Sequence, residues 1–137
     1  MTVMLIFTNG CFDVFHAGHA LFLERCRNLG DRLIVGLNSD ASVRQLKGPH
    51  RPICTWNERA AVLMSCRFVD EVLPFDEPTP CELITHLRPD VIVKGPGYNP
   101  DTMPEARLVL AYGGRVVIAE GPRISSTDII NRIRNRQ

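Results

Sequence analysis

Short apolar segments alternate with amphipathic segments along the whole chain. The apolar segments are rich in Val, Ile, Leu and Phe, which is typical of buried β-strands. Strands that alternate with helices predict an α/β protein, here a doubly wound, five-stranded parallel sheet with helices on both faces. The predicted strands cover residues 5–8, 32–37, 71–75, 91–93 and 115–119.

The predicted helices have recognisable ends. Residues 55–58 and 79–82 each have the sequence of a capping box, in which the first and fourth residues bond each other's backbone N–H groups. Gly30 and Gly113 stand where helix C-terminal glycines are expected, and the last helix is predicted over residues 126–134. No repeat or linker interrupts the pattern, so we expect a single domain over residues 1–137.

Composition narrows the class of protein. The chain has 137 residues, of which 45% are hydrophobic, and a net charge of +1, which favours neither a nucleic-acid-binding nor a membrane-binding surface. No apolar run approaches the roughly 20 residues of a membrane span, and we expect no signal peptide. The five cysteines are scattered and never form a C-x-x-C pair. This pattern argues against zinc or disulfides and predicts a cytoplasmic protein.

The most specific chemical signal is the segment 8–19, between the first predicted strand and the next helix. His16 and His19 stand near the start of that helix, where free backbone N–H groups and the helix dipole favour an anion. This placement predicts binding of a nucleoside triphosphate, with both histidines as catalytic hydrogen-bond donors to its phosphates. The other candidate binding residues in the segment include Thr8, Asn9, Gly10, Cys11 and Gly18.

Two other interpretations of the histidines remain. Either His16 or His19 alone has the position of a helix-start or core histidine with no catalytic role. The two together also suggest a metal pair, but no third ligand is evident and metal sites usually need three or four. We therefore predict no protein-held metal.

A basic segment follows the second predicted strand. It contains Arg44, Lys47, His50, Arg51 and Arg59, opposed within that window only by one glutamate. Because neighbouring parallel strands end at the same sheet edge, Lys47 and Arg59 are predicted to reach the crevice that holds His16 and His19. The alternative is a solvated surface loop.

Two later segments are candidates for the same crevice. Residues 123–127 precede the last helix and combine hydroxyl groups with free backbone N–H groups, which suits a phosphate, although simple N-capping needs only one hydroxyl. The glycine-rich turn 94–98 is a substrate loop if the sheet prediction is right. The candidate binding residues in these segments are Lys94, Gly95, Arg123, Ser125, Ser126 and Thr127.

Two of these motifs carry a family resemblance. His16-Ala17-Gly18-His19 and Ile124-Ser125-Ser126-Thr127 resemble the signatures of the cytidylyltransferase-like nucleotidyltransferases, which have a Rossmann-like sheet. Within that superfamily the chain is most similar to the adenylyltransferase domain that makes ADP-heptose from heptose 1-phosphate. The resemblance extends from about residue 7 to residue 133 and includes the stretches 8–13, 30–35, 38–42, 46–48, 51–52, 89–90 and 93–95.

The resemblance implies that a sugar phosphate attacks the α-phosphorus of ATP with Mg²⁺ present, and that pyrophosphate leaves. It assigns the α/β-phosphates to His16 and His19, and charge neutralisation to Lys47. Arg59 is implied near the substrate phosphate or the pyrophosphate, and the hydroxyls of residues 125–127 at the β/γ-phosphates. Phe12 and Asp13 match a loop that shapes the nucleotide pocket.

Three departures concern the substrates rather than the chemistry. Ser126 replaces a threonine, Arg123 stands where relatives often have glycine, and Gly97 replaces an acidic residue before Tyr98. The alternative function is therefore a CTP-dependent cytidylyltransferase acting on glycerol 3-phosphate or another small phosphorylated or phosphonate acceptor. A non-catalytic nucleotide sensor is a third possibility. The resemblance also implies a homodimer and a separate sugar kinase in the same pathway.

Overall fold

A computed structural model describes residues 2–120 and 124–136. Within these ranges it contains five strands, six α-helices and a short 3₁₀ helix, Pro100–Thr102. The strands are β1 (Leu5–Gly10), β2 (Arg32–Asn38), β3 (Glu71–Phe75), β4 (Val91–Lys94) and β5 (Arg115–Ile118). The helices are α1 (Ala17–Arg27), α2 (Asp40–Lys47), α3 (Trp56–Ser65), α4 (Cys81–Leu87), α5 (Pro104–Ala111) and α6 (Ser126–Arg134).

The five strands form one parallel sheet in the order β3-β2-β1-β4-β5. The central strand β1 pairs with both β2 and β4, so that Phe7 lies opposite Ile34 on one side and Ile92 on the other. The strand order reverses at β1, because the chain first moves outward to β2 and β3 and then returns to β4. Such a switch point opens a crevice at the carboxyl ends of the strands. The predicted Rossmann-like fold is confirmed.

The core is divided between the two faces of the sheet, because successive strand residues point to opposite sides. Ile6, Leu33 and Val91 pack on one face with Leu23 of α1 and Leu63 of α3. On the other face Phe7, Ile34 and Ile92 pack with helices α4 and α5, through Ile84 and Val109. Helices therefore bury both faces of the sheet, as the continuous apolar character of the strands predicts.

Most predicted element boundaries agree with the structure, with small differences. Strand β1 continues two residues beyond its predicted end, to Gly10, and β5 stops at Ile118. The capping box predicted at Thr79 is wrong: Pro80 is the N-cap of α4 and no side chain caps this helix. The neighbouring Glu77 carboxyl group raises the pKa of Glu82.

The two predicted C-terminal glycines have different roles. Gly113 follows α5 with φ +92, the left-handed conformation that ends many helices. Gly30 is needed for space instead: a Cβ there would lie 2.7 Å from Cδ1 of Ile6. Across the two ranges described, no helix combines the length and apolar character that crossing a bilayer requires.

A methyl group added at Gly36 should destabilise the fold. Its Cβ would lie 2.7 Å from Cζ of Phe7 and 3.3 Å from Cδ2 of Leu83, both in the core beside β2. We expect Gly36→Ala to lower the free energy of unfolding by about 1–3 kcal/mol, the usual cost of overpacking, measured by urea denaturation. Gly95→Ala is the control, because no atom lies within 4 Å of its added Cβ. Equal stability of the two variants would contradict the packing described for β2.

Candidate active site

One cavity of about 770 Å³ lies at the carboxyl ends of β1 and β4, where the strand order reverses. The loop after β1, the turn after β4 and the start of α6 all contribute residues to its lining. The residues predicted from the sequence that line it are Asn9, Gly10, Cys11, Phe12, Asp13, Gly18, His19, Lys47, Lys94, Gly95, Ser125, Ser126 and Thr127. Four segments distant in sequence thus meet in one place.

The loop between β1 and α1 has an unusual backbone. Phe12 and Val14 adopt left-handed conformations with φ 47 and φ 52, which non-glycine residues rarely do. The turn also packs tightly, since a Cβ on Gly10 would lie 2.9 Å from Cε2 of Phe12. Strained loop conformations of this kind persist where the surrounding structure holds them, and they are frequent at functional sites.

The two histidines form the N-terminal cap of α1. Nδ1 of His16 accepts a hydrogen bond from the Gly18 N–H at 3.0 Å, and Nδ1 of His19 accepts one from the His16 N–H at 3.3 Å. Their rings stack with centroids 3.8 Å apart. Because both Nδ1 atoms act as acceptors, each neutral ring carries its proton on Nε2. Both side chains are therefore fixed as Nε2–H donors.

The surroundings of the histidines keep both rings neutral. Burial, with the neighbouring His16, lowers the pKa of His19 to about 3, and burial with Arg132 lowers the pKa of His16. Nε2 of His16 is buried and has no hydrogen-bond partner among the residues described. A buried donor without a partner is costly, and a phosphate oxygen is a suitable acceptor for it.

Titration should detect the neutral state of His19. We expect its Cε1–H resonance in NMR spectra to stay constant from pH 8 to pH 5. Since the folded pKa of about 3 lies below the ordinary 6.5, the unfolded state binds the extra proton first. The contribution of His19 to stability is then complete above pH 6.5 and declines as the pH falls towards 3. A His19 midpoint near pH 6.5 in the folded protein would contradict this environment.

Asp13 ties the loop after β1 to the basic segment. Its carboxylate, 1% exposed, accepts hydrogen bonds from the backbone N–H groups of Ile53 (2.7 Å) and Cys54 (2.9 Å) and from Nε of Arg51 (3.0 Å). Burial alone would raise the pKa of Asp13, but these donors outweigh burial and lower it. The backbone carbonyl of Asp13 also accepts a hydrogen bond from the Ser126 hydroxyl, so this residue joins three of the four segments.

Two basic groups of the cavity, Lys47 and Arg51, come from the segment that follows β2. Lys47 ends α2, and Arg51 in the following loop donates from Nη1 to the Thr127 hydroxyl at 3.3 Å. At the start of α6 the Ser125 side chain accepts from the Asp128 N–H. The positive end of the α6 dipole and two cations therefore point towards the same space, which favours a polyphosphate.

Arg59 requires a correction. Its side chain is 1% exposed and does not line the cavity. The guanidinium donates to the backbone carbonyls of Cys11 (2.8 Å), Asn38 (3.0 Å) and Cys54 (3.1 Å) and to the Asp40 carboxylate (2.7 Å). These protein groups occupy the donors expected to contact phosphate, so in this structure Arg59 supports the loops beneath the cavity instead.

Two other predicted site residues, Thr8 and His16, do not line the cavity. Thr8 is 1% exposed, and its hydroxyl donates to the Val93 carbonyl at 2.8 Å, which joins β1 to β4. The His16 ring stacks on the ring of His19, which does line the cavity. Arg123 is outside the described residues. Cys11 does line the cavity, but burial raises the pKa of its thiol, so it is no ready nucleophile.

A family model described as cytidylyltransferase-like matches residues 7–132 of the sequence. The chain belongs to the cytidylyltransferase-like family. The family resemblance that the two motifs indicated is thereby confirmed.

Two bacterial proteins, each named "Bifunctional protein HldE", are close relatives of this cytidylyltransferase-like chain. Those of Syntrophotalea carbinolica and Pseudomonas syringae pv. syringae are both 51% identical to it over 133 residues. These alignments cover 96% of this chain but only 27% and 28% of the relatives, so the chain spans about a quarter of their length.

A solved structure has the same fold. The crystal structure of the lipopolysaccharide core biosynthesis protein from Thermoplasma volcanium superposes with a TM-score of 0.75 at 24% identity. The match covers 89% of this chain and all of that one. At this identity the similarity establishes the fold alone.

The cytidylyltransferase-like cavity also contains residues that the sequence analysis did not single out. Leu21, Phe22 and Arg25 of α1 line it, together with Glu105 at the start of α5. The α1 residues follow Gly18 at helical spacing, so this periodicity was a usable signal. Glu105 had no such signal, because an acidic residue in the first turn of a helix is ordinarily explained by the helix dipole.

Proposed function

We propose that this protein is an adenylyltransferase that transfers AMP from ATP to a sugar 1-phosphate, heptose 1-phosphate, and releases pyrophosphate. The observation that carries the proposal is the meeting, in one cavity, of the first-loop histidine motif, Lys47 and the hydroxyls of residues 125–127. The 51% identity to two bifunctional HldE proteins and the sequence resemblance to ADP-heptose-forming domains support the choice of base and acceptor.

In the proposed reaction an oxygen of the acceptor phosphate attacks the α-phosphorus of ATP. A new P–O bond forms, the bond from the α-phosphorus to the α/β-bridging oxygen breaks, and pyrophosphate leaves with that electron pair. No covalent intermediate with the protein is needed, so the protein contributes positioning and charge stabilisation. The fixed Nε2–H of His19 lies at the cavity and would bind an oxygen whose charge grows in the transition state. His16 would supply the second donor, because its Nε2–H has no partner among the described residues and its ring stacks on that of His19.

The proposed roles of the other residues follow from their positions. Lys47 would neutralise the triphosphate or the attacking phosphate, and Ser125, Ser126 and Thr127 would hold the β/γ-phosphates at the start of α6. Asn9, Gly10, Phe12, Asp13, Gly18, Lys94 and Gly95 would complete the nucleotide and acceptor pocket.

We treat Mg²⁺ as part of the ATP substrate. Among the described residues, no group of three or more His, Cys, Asp or Glu side chains is arranged to hold a metal ion. The carboxylates of Asp13 and Glu105 are already paired with Arg51 and Lys94. The phosphate oxygens of the substrate would therefore carry the ion, which neutralises their charge.

The proposal extends to assembly and location. We infer a homodimer from the family resemblance, which light scattering tests as a mass twice that of the 15.4-kDa chain.

The free cysteines support a reducing, cytoplasmic environment. A kinase activity must precede this reaction, because the acceptor is needed as its phosphate.

Initial rates of pyrophosphate release test the proposed substrates. The assay compares ATP with CTP, each with heptose 1-phosphate and with glycerol 3-phosphate, in the presence of Mg²⁺. We expect release chiefly with ATP and heptose 1-phosphate. Release chiefly with CTP would assign the protein to cytidylyl transfer with the same residue roles, and no release from any pair would contradict the proposed reaction class.

A further inference from the structure

The β4 side of the cavity contains a charged pair that the phosphate chemistry does not require. Lys94 ends β4 and Glu105 lies in the first turn of α5, with side chains 7% and 8% exposed. Nζ of Lys94 lies 3.4 Å from Oε2 of Glu105 and donates to Oδ1 of Asn9. Both charged groups nevertheless line the cavity.

Burial of this pair is costly for folding. Taking two charges out of water is offset only by good geometry and by hydrogen bonds to their remaining polar atoms. The separation of 3.4 Å is long for a charge-assisted hydrogen bond, and burial lowers the pKa of Lys94 despite the attraction of Glu105. A buried, imperfectly paired carboxylate in a cleft is a candidate functional group.

The carboxylate of Glu105 has accepting capacity left. An ionised carboxylate offers about four acceptor positions, yet within residues 2–120 and 124–136 Glu105 receives a hydrogen bond only from Lys94. Its neighbours fix its position: Lys94 holds one oxygen, Asn9 holds Lys94, and the ring of Tyr98 lies 5.7 Å from Nζ. The group is thus an oriented acceptor at the cavity wall.

The charge of Glu105 decides what it is able to bind. A carboxylate repels phosphate, and the phosphate-binding groups Lys47, Arg51 and Thr127 come from the β2 side and from α6. A neutral hydrogen-bond donor is the favoured partner, and hydroxyl groups are the donors that a sugar phosphate and a nucleotide both supply.

We propose that Glu105 is a specificity-determining residue whose carboxylate accepts a hydrogen bond from a sugar hydroxyl of the substrate, with Lys94 and Asn9 as its positioning residues. This inference rests on the proposed function, since it requires a sugar-bearing substrate. The hydroxyl belongs either to the acceptor sugar or to the ribose of the nucleotide, and the two sources share the same chemistry.

Deoxy substrates test the proposal directly. The kcat/KM for pyrophosphate release is measured with parent compounds and with monodeoxy analogues of the acceptor and of ATP, for the wild type and Glu105→Met. For one of the hydroxyl groups, the kcat/KM of the wild type should be about ten- to a hundredfold higher with the parent compound than with the analogue that lacks this hydroxyl. The Glu105→Met variant should use the two compounds equally well. If the analogue concerned is a deoxy acceptor, Glu105 binds the acceptor sugar; if it is a deoxy form of ATP, Glu105 binds the ribose.

The controls separate a binding role from a structural one. Asp101→Asn removes a negative charge from the same segment outside the cavity lining and should retain every preference. If Glu105→Met fails to fold, Glu105→Gln is used instead, because it keeps the shape of the side chain. It should reduce the preference for the parent compound in the same way, but by a smaller factor. Unchanged preferences for all analogues in a folded Glu105 variant would overturn the proposal.

Failure of the proposed function gives a different result. In that case the wild type releases no pyrophosphate with any pair of substrates. Calorimetric titration of the same variants with ATP·Mg²⁺, its deoxy forms, and the acceptor phosphates then tests Glu105 without turnover. Equal dissociation constants for parent and deoxy compounds with the wild type would overturn the inference.

Discussion

Replacing His19 with alanine is expected to lower kcat for pyrophosphate release by about 10²- to 10³-fold, the usual loss when one oriented donor to a transition-state oxygen is removed. His19 lines the cavity, and its Nδ1 is held by the His16 N–H, so its Nε2–H is a fixed donor. The KM for ATP should change much less, because charge on the bound phosphates grows mainly in the transition state. Steady-state kinetics with saturating acceptor measures both parameters.

His86→Ala is the matched control, because His86 is an exposed histidine in the last turn of α4 and does not line the cavity. It should keep the wild-type kcat. Thermal unfolding of both variants separates a catalytic loss from a folding defect, since His19 also belongs to the capping box of α1. A folded His19→Ala protein with kcat within threefold of wild type would remove His19 from the catalytic machinery.

The second large effect concerns stability. We expect Arg59→Met to lower the free energy of unfolding by about 3–5 kcal/mol, because it deprives three backbone carbonyls and one carboxylate of a buried donor. Those acceptors belong to Cys11, Asn38, Cys54 and Asp40, which come from the loops under the cavity. Chemical denaturation followed by tryptophan fluorescence measures the change through Trp56 of α3.

Arg107→Met is the control for this prediction. Arg107 is an exposed arginine on α5, and its substitution should change stability by less than about 0.5 kcal/mol. A different outcome is expected if Arg59 contacts phosphate directly, as its position in the basic segment first indicated. Arg59→Met would then fold with near wild-type stability and show a raised KM for ATP.

Local sequence was sufficient to predict the sheet. The strands around Phe7, Ile34 and Ile92 are short apolar runs buried on both faces, and that pattern is typical of a parallel sheet. Sequence pattern was less reliable for helix starts. Residues 79–82 have the sequence of a capping box, yet α4 begins after Pro80 and no side chain caps it, so the pattern alone did not determine where the helix starts.

The candidate site was predictable only where its residues lie in one motif. Asn9 and Gly10 end β1 and His19 lies in the helix that follows, so the topology places all three at the crevice. Arg59 shows the limit: its place in the basic segment grouped it with Lys47, but in the folded protein its guanidinium donates to backbone carbonyls. Glu105 is the opposite case: it lines the cavity but nothing in its sequence indicated this, because only the packing of α5 against β4 brings its carboxylate to Lys94.

The most direct test of the proposed reaction is ³¹P NMR of the protein with ATP, Mg²⁺ and heptose 1-phosphate. Attack at the α-phosphorus predicts two coupled diphosphate resonances of a nucleotide sugar, together with inorganic pyrophosphate in equal amount. Over the same period the His19→Ala variant should form about a hundredth or less of either product. Formation of ADP with a doubly phosphorylated sugar, or of free phosphate alone, would contradict nucleotidyl transfer.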